Sequence, residues 1–209
     1  MASLIYIEAS PLKERSHTIE VARAFLDHYR ECNPADTIQT IDLWTTRLPA
    51  FDGVTIEAKF AVLRKNAFTA AQEEAWHAVR AVSRQFNAAD KYVFSVPMWN
   101  FSIPYPLKHY IDVITLAGEN WTWSRSEGYR SLLSGKKALL IYSSAGSYSL
   151  GEPASHADFQ KPYLRHWLSF IGVDDLTEIN LAPTLADPDV VAQMKSEARS
   201  RATTIARSF

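Results

Sequence analysis

Five short apolar runs, alternating with segments of helical period, restrict this chain to very few folds. Leu4–Glu8, Thr37–Leu43, Lys91–Val96, Lys137–Tyr142 and Leu176–Leu181 combine β-branched, leucine and aromatic residues, as strands covered on both faces do. Between them, apolar residues recur at helical spacing: Ile19, Ala22, Leu26 and Tyr29; Ala75, Val79, Val82 and Phe86; Leu107, Tyr110, Ile111 and Ile114. Ala157–Ile171 reads as a further helix, and so does the segment from Pro188 onward, with Val190, Val191, Met194 and Ala198 facing inward. This alternation predicts an α/β fold with one doubly wound, five-stranded parallel sheet and helices on both faces. No repeat, low-complexity run or Pro/Gly/Ser linker interrupts it, so residues 1–209 are read as a single domain.

Composition narrows the function classes. A chain of 209 residues buries roughly 70% of its unfolded surface, so its core needs neither disulfides nor a metal. The formal net charge is −1 and Lys and Arg are spread along the chain, which removes the electrostatic case for nucleic acid or anionic lipid as partner. A lone Cys32, with no Cys-x-x-Cys pair, suits a reducing cytoplasm. The first residues lack a basic stretch and Glu8 cuts their apolar run, so they read as a strand and not as a signal peptide. No run reaches the ~18 apolar residues of a membrane helix. His17, His28, His77, His109, His156 and His166 show no paired metal spacing, and no metal site is expected.

Three unusual loops each follow a strand, and in an open parallel sheet all three therefore lie at one carboxyl edge, where ligands bind. In the first, Ser10, Ser16 and Thr18 supply hydroxyls beside the N–H groups of a helix starting near Thr18, a combination suited to a phosphate monoester. Ser16 taken alone is a helix N-cap, and Lys13 and Arg15 could add positive charge or simply be solvated. The loop has no glycine and the chain no G-x-x-x-x-G-K-[ST], which removes support for a dinucleotide pyrophosphate or a nucleoside triphosphate. In the second loop Pro97, Pro104 and Pro106 brace a turn holding Met98, Trp99, Asn100 and Phe101, costly groups to leave wet. The third is Ser143-Ser-Ala-Gly-Ser-Tyr-Ser-Leu-Gly151, whose glycine spacing does not fit a nucleophile elbow. A further stretch, Ala117–Arg130, reads as an irregular aromatic insertion.

Magnitudes favour one composite site. Hydrogen bonds to a charged phosphate contribute about 1.5–3 kcal/mol each and a helix terminus at most ~2 kcal/mol. Burying roughly 200 Å² of flat aromatic ring adds about 5 kcal/mol gross. Micromolar affinity needs ~8 kcal/mol after the cost of association, so the phosphate loop and the aromatic turn make sense as the two ends of one ligand's site.

These residues, in this order, resemble the FMN-dependent NADH-azoreductases, a flavodoxin-like family of homodimeric quinone and azo-dye reductases. Ser10 with Ser16-His17-Thr18 is similar to the family's phosphate loop, normally Ser-x-Ser. Pro97-Met98-Trp99-Asn100-Phe101 is similar to its Pro-Met-Tyr-Asn-Phe flavin-ring segment, and Ser143-Ser144-Ala145-Gly146 stands where the family has Ser-Arg-Gly-Gly. The likeness continues through Ile103-Pro-x-x-Leu-Lys-x-Tyr-x-Asp112, Gly135-Lys-Lys-Ala138, Pro162-Tyr-Leu164 and Phe170-Ile-Gly172, covering essentially the whole chain. Three departures stand out: Thr18 keeps a hydroxyl, Trp99 replaces a phenol with an indole, and Ser144-Ala145 removes an arginine and adds a methyl.

The resemblance implies FMN as cofactor, NADH or NADPH as electron donor, and a quinone or azo compound as acceptor. It implies that the donor gives a hydride to the flavin and leaves before the acceptor takes its place. On this reading no side chain is a catalytic nucleophile or acid, because the flavin carries the chemistry and water can supply protons. Asn100 and Gly146 would hold the flavin pyrimidine edge while Met98, Trp99 and Phe101 wall the ring; Trp121 or Trp123, together with Trp167, falls where the family places aromatic substrate-pocket residues. A rival reading is an FMN-binding electron carrier without small-molecule turnover. The aromatic insertion and the lack of a strongly acidic face favour an enzyme, expected to be a cytoplasmic homodimer with sites at the interface.

Overall fold

Alternating side chains on the central strands decide the architecture. In the computed structural model, which describes residues 1–209, β1 (Ser3–Glu8), β3 (Lys91–Pro97) and β6 (Lys137–Ser143) are buried along almost their whole length. Two shallower strands, β2 (Thr37–Asp42) and β7 (Asp175–Leu181), carry the polar residues of sheet edges. The sheet runs β2-β1-β3-β6-β7 with every pair parallel, the flavodoxin-like order.

Odd and even positions feed two different cores. Ile5, Ile7, Tyr92, Phe94, Leu140 and Tyr142 pack against α3 (Ala70–Ala88), α4 (Tyr105–Ile114) and α5 (Lys161–Ile171), meeting Phe86, Leu107, Tyr110 and Trp167. Leu4, Tyr6, Val93, Leu139 and Ile141 face the other way, onto α1 (His17–Cys32) and α6 (Pro188–Ala206), meeting Phe25, Tyr29, Ala198 and Ala202. Small alanines on α6 let it lie close against α1.

Four local expectations are corrected. The helix expected from Ala157 starts at Lys161, because the Asp158 carboxylate accepts the N–H groups of Gln160 and Lys161 at 3.0 Å each and caps it there. The insertion expected to be irregular contains an antiparallel hairpin of β4 (Trp121–Ser124) and β5 (Gly128–Ser131), its turn closed by Glu127 donating to Ser124 Oγ and by Gly128 at φ +70°. Between β2 and β3 lie two helices where the apolar period predicts one. The additional one, α2 (Gly53–Arg64), capped by Asp52, leaves Val54, Ile56, Phe60 and Leu63 exposed, so its apolar residues do not gather on one core face. On α3 it is Trp76 that reaches the core while Ala75 is only half-buried, and on α6 Val190 is exposed and Val191 half-buried because Ala198, Ala202 and Ala206 form the packed stripe.

Candidate functional site

The strand order sets β1, β3 and β6 side by side, so the loops leaving their carboxyl ends are neighbours. Backbone hydrogen bonds join them directly: Ala9 donates to the Ser95 carbonyl at 3.1 Å and Met98 to the Ser143 carbonyl at 2.7 Å. Ser10, Ser16, Met98, Asn100, Ser143 and Gly146 are thereby gathered at one edge, as the spacing predicts.

In the first loop Ser16 is the N-cap of α1, its Oγ accepting from the Ile19 N–H at 3.4 Å and lying 3.2 Å from Thr18 Oγ1. Ser10, Ser16 and Thr18 are buried, while the N–H groups of His17 and Thr18 have no acceptor within the chain. Hydroxyls and free amides at the positive end of a 16-residue helix fit a phosphate. Lys13 is neither free nor merely solvated: its ammonium lies 2.5 Å from Glu8 and 2.7 Å from Asp42, at the ends of β1 and β2. Partial burial lowers the Lys13 pKa, but these two carboxylates outweigh it and raise the value above that of an ordinary lysine.

The second loop is a two-residue reversal. Trp99 and Ser102 exchange N–H to carbonyl bonds of 2.9 and 3.0 Å, and between them Asn100 and Phe101 sit at φ +46° and +71°, the left-handed geometry of the tight hairpin turn. Such angles are strained for a phenylalanine and persist because the surroundings hold them. Phe159 donates its N–H to the Phe101 carbonyl at 2.9 Å, Ser102 Oγ donates to the Phe159 carbonyl, and Gln160 Nε2 donates to the Val96 carbonyl at 2.9 Å. The N–H groups of Asn100 and Phe101 remain unused.

The third loop is braced from β7. Ser144 donates its N–H to Leu181, and the Ser144 carbonyl accepts both the N–H and the hydroxyl of Thr184, while Ser144 Oγ donates to Gly146 at 2.8 Å. The amides of Ala145 and Gly146 again have no partner in the chain. Tyr148 closes the loop, its ring edge-on to Phe101 at 6.3 Å.

The tryptophans divide. Trp121 and Trp167 share a cavity of about 470 Å³ with Ile111, Thr115, Tyr129 and Phe170; Trp167 Nε1 donates to Thr115 at 2.9 Å, whereas the buried Trp121 Nε1 has no partner. Lys59 and Asp112 add charge at its rim; burial pulls the Lys59 pKa down, against the attraction of Asp112. Trp123 does not line this cavity and is 55% exposed. The cavity lies toward the carboxyl end of α4, whose ten residues span ~15 Å from the flavin-type turn at its other end. Within one chain the tryptophans and the three loops are not brought together.

The family described as flavodoxin-like fold matches residues 2–205. The FMN-dependent NADH:quinone oxidoreductase of Desulfotalea psychrophila is 41% identical over 209 residues, covering 100% of this chain and 98% of its own. The protein named FMN-dependent NADH:quinone oxidoreductase 9 in Burkholderia lata is 42% identical over 215 residues, covering both chains fully at 100%. The chain belongs to this oxidoreductase family. Among solved structures, an azoreductase from Bacillus anthracis superposes with TM-score 0.91 at 27% identity, covering 100% of each chain. A FMN-dependent NADH-azoreductase from the same organism, in complex with FMN, superposes with TM-score 0.86 at 28% identity, covering 99% of this chain and 100% of its own.

Within the oxidoreductase family framework, the structure adds residues that sequence reading missed. Gln160 and Thr184 support the second and third loops by hydrogen bonds that no local motif announces. Trp44, just after β2, places its ring 5.5 Å from both Trp99 and Tyr105. A tryptophan directly after a strand, at the edge where three ligand loops converge, was the available signal.

Proposed function

We propose that this chain is an FMN-dependent NAD(P)H oxidoreductase that reduces quinones and azo compounds by two electrons in a ping-pong cycle, folded as one domain over residues 1–209 and acting in the cytoplasm. The observation that carries the reading is the adjacency of β1, β3 and β6, which puts a hydroxyl-lined helix terminus, an aromatic turn and two pairs of unused amides at one edge. This donor set fits FMN: phosphate at one end and a flat ring with a polar edge at the other.

Bound FMN would supply the redox chemistry, taking a hydride from the nicotinamide and passing two electrons to the acceptor. The chain binds and orients. Ser10, Ser16, His17 and Thr18 hold the phosphate with hydroxyls and free amides. Asn100 and Phe101, with Ala145 and Gly146, direct N–H groups toward the polar ring edge, and Ser143 and Ser144 hold that loop in place beside it. Met98, Trp99 and Phe101 exclude water from the ring, and donor and acceptor in turn occupy the space beside it.

The Trp121–Trp167 cavity and the exposed apolar side chains of α2 support a homodimer in which one protomer's aromatic residues Trp121, Trp123 and Trp167 complete the substrate pocket of the other. Exposed apolar rows of this kind mark interaction surfaces. The test of function is NADH oxidation by the FMN-loaded protein with a quinone as sole acceptor and no protein partner present. Turnover supports the enzyme; no turnover in a protein that holds FMN assigns it to the electron carriers.

A further inference from the structure

We propose that Trp44 is a positioning residue that holds the Trp99 indole, and with it the Met98–Phe101 turn, in the orientation the cofactor meets. The inference rests on the flavin reading of that turn. Three rings meet at the carboxyl edge: Trp44 and Trp99 at 5.5 Å, Trp44 and Tyr105 at 5.5 Å, and Trp99 and Tyr105 at 6.4 Å. They differ in how they are held. Trp99 is 36% exposed and its indole N–H has no acceptor in the chain, so ring contacts alone restrain it. Tyr105 is 69% exposed.

Trp44 alone of the three is tied down. Its indole Nε1 donates to the Ala9 carbonyl at 3.0 Å and its backbone N–H to Asp42 Oδ1 at 3.1 Å. Asp42 is in turn gripped by the Lys13 ammonium at 2.7 Å and the Thr45 hydroxyl at 2.8 Å. Ala9 directly precedes Ser10 and donates its own N–H to Ser95 on β3. Trp44 therefore registers the phosphate-type loop against the aromatic turn, a tie between two parts of one ligand's site. An indole packed on an anchored indole loses fewer accessible orientations when ligand binds, which raises affinity by pre-organisation.

The test is a double-mutant cycle with Trp44→Ala, Trp99→Ala and both together, plus Trp44→Phe, which keeps a ring at the position should the alanine variant unfold. The FMN-free proteins are compared by circular dichroism, where two coupled indoles give a couplet, and then titrated with FMN. We expect the couplet to vanish equally in both single variants. FMN dissociation constants should rise about tenfold in each single variant and about twofold or less further in the double, with Trp44→Phe in between. Additive losses, or an unchanged couplet in Trp44→Ala, would overturn the proposal. If the unsubstituted protein binds no FMN, the functional reading fails, while the couplet still decides whether Trp44 holds Trp99.

Discussion

Phe159 donates its backbone N–H to the carbonyl of Phe101 at 2.9 Å, fastening the segment just before α5 to a turn that runs through left-handed backbone angles. With Gln160 on the Val96 carbonyl, this staple explains how a phenylalanine can sit at φ +71°. The flavin-type turn is held from outside itself.

That dependence makes Gln160 the support to remove. Gln160→Ala removes the side-chain donor to the buried Val96 carbonyl, and we expect a loss of about 1 kcal/mol in urea unfolding together with weaker FMN binding. An unchanged unfolding midpoint would show that the staple does not hold the turn.

Phe101→Gly should separate stability from binding. Glycine relieves the left-handed strain of about 1 kcal/mol but removes an aromatic wall of the site. The FMN-free variant should melt within a few degrees of the parent while its FMN affinity falls about tenfold or more. Loss of both together would mean that the ring serves mainly packing.

Ser16 carries two roles that two substitutions distinguish. Ser16→Ala removes the cap of α1 and should cost about 1 kcal/mol of stability, whereas Ser16→Gly should cost only a few tenths. Both remove the hydroxyl from the phosphate end, so both should weaken FMN by about tenfold. If glycine restored affinity as well as stability, the hydroxyl would be a cap and nothing more.

Stability should fall on the acid side for stated reasons. Partial burial raises the Asp42 pKa, but Lys13, the Trp44 amide and Thr45 outweigh it and hold the carboxyl below the usual aspartate range. Glu20, between Lys195 and Arg199, and Glu119, between Arg80 and Arg84, behave likewise. A carboxylate whose folded pKa is depressed binds fewer protons folded than unfolded, so its contribution is complete above the unfolded values of about 4 and disappears as pH falls through the folded ones. Urea midpoints should be flat above about pH 5.5 and decline below about pH 4, with Asp42→Asn flattening part of that decline. The raised Lys13 pKa has the opposite sign: its contribution is lost only as pH rises past the ordinary lysine value, about 10.4.

The fold was legible because buried parallel strands announce themselves by composition, and the site because each ligand loop follows such a strand. What escaped is non-local or weakly patterned. α2 exposes Val54, Ile56, Phe60 and Leu63 and turns only Thr55, Ala58 and Ala61 inward, so no large apolar core face marked it. The start of α5 depends on one Asp158 side chain competing with the helix that the apolar period extends backward. Lys13 looked available for phosphate until the ends of β1 and β2 brought Glu8 and Asp42 to it. Trp44 had no visible partner until the sheet order placed the segment after β2 within ring contact of Trp99.

The dimer expectation has its own check. Light scattering of the purified protein should give twice the mass of one chain, and Phe60→Glu, which puts charge on the exposed face of α2, should shift the population toward monomer. A monomeric parent would leave the two halves of the proposed substrate pocket on separate molecules.

The central claim is that three loops of this chain form one FMN site, and the flavin content of the purified protein tests it most directly. After incubation with excess FMN and removal of the unbound flavin, denaturation should release one FMN per chain. A protein that stays colourless through that treatment, or that retains FAD in preference to FMN, would contradict the account.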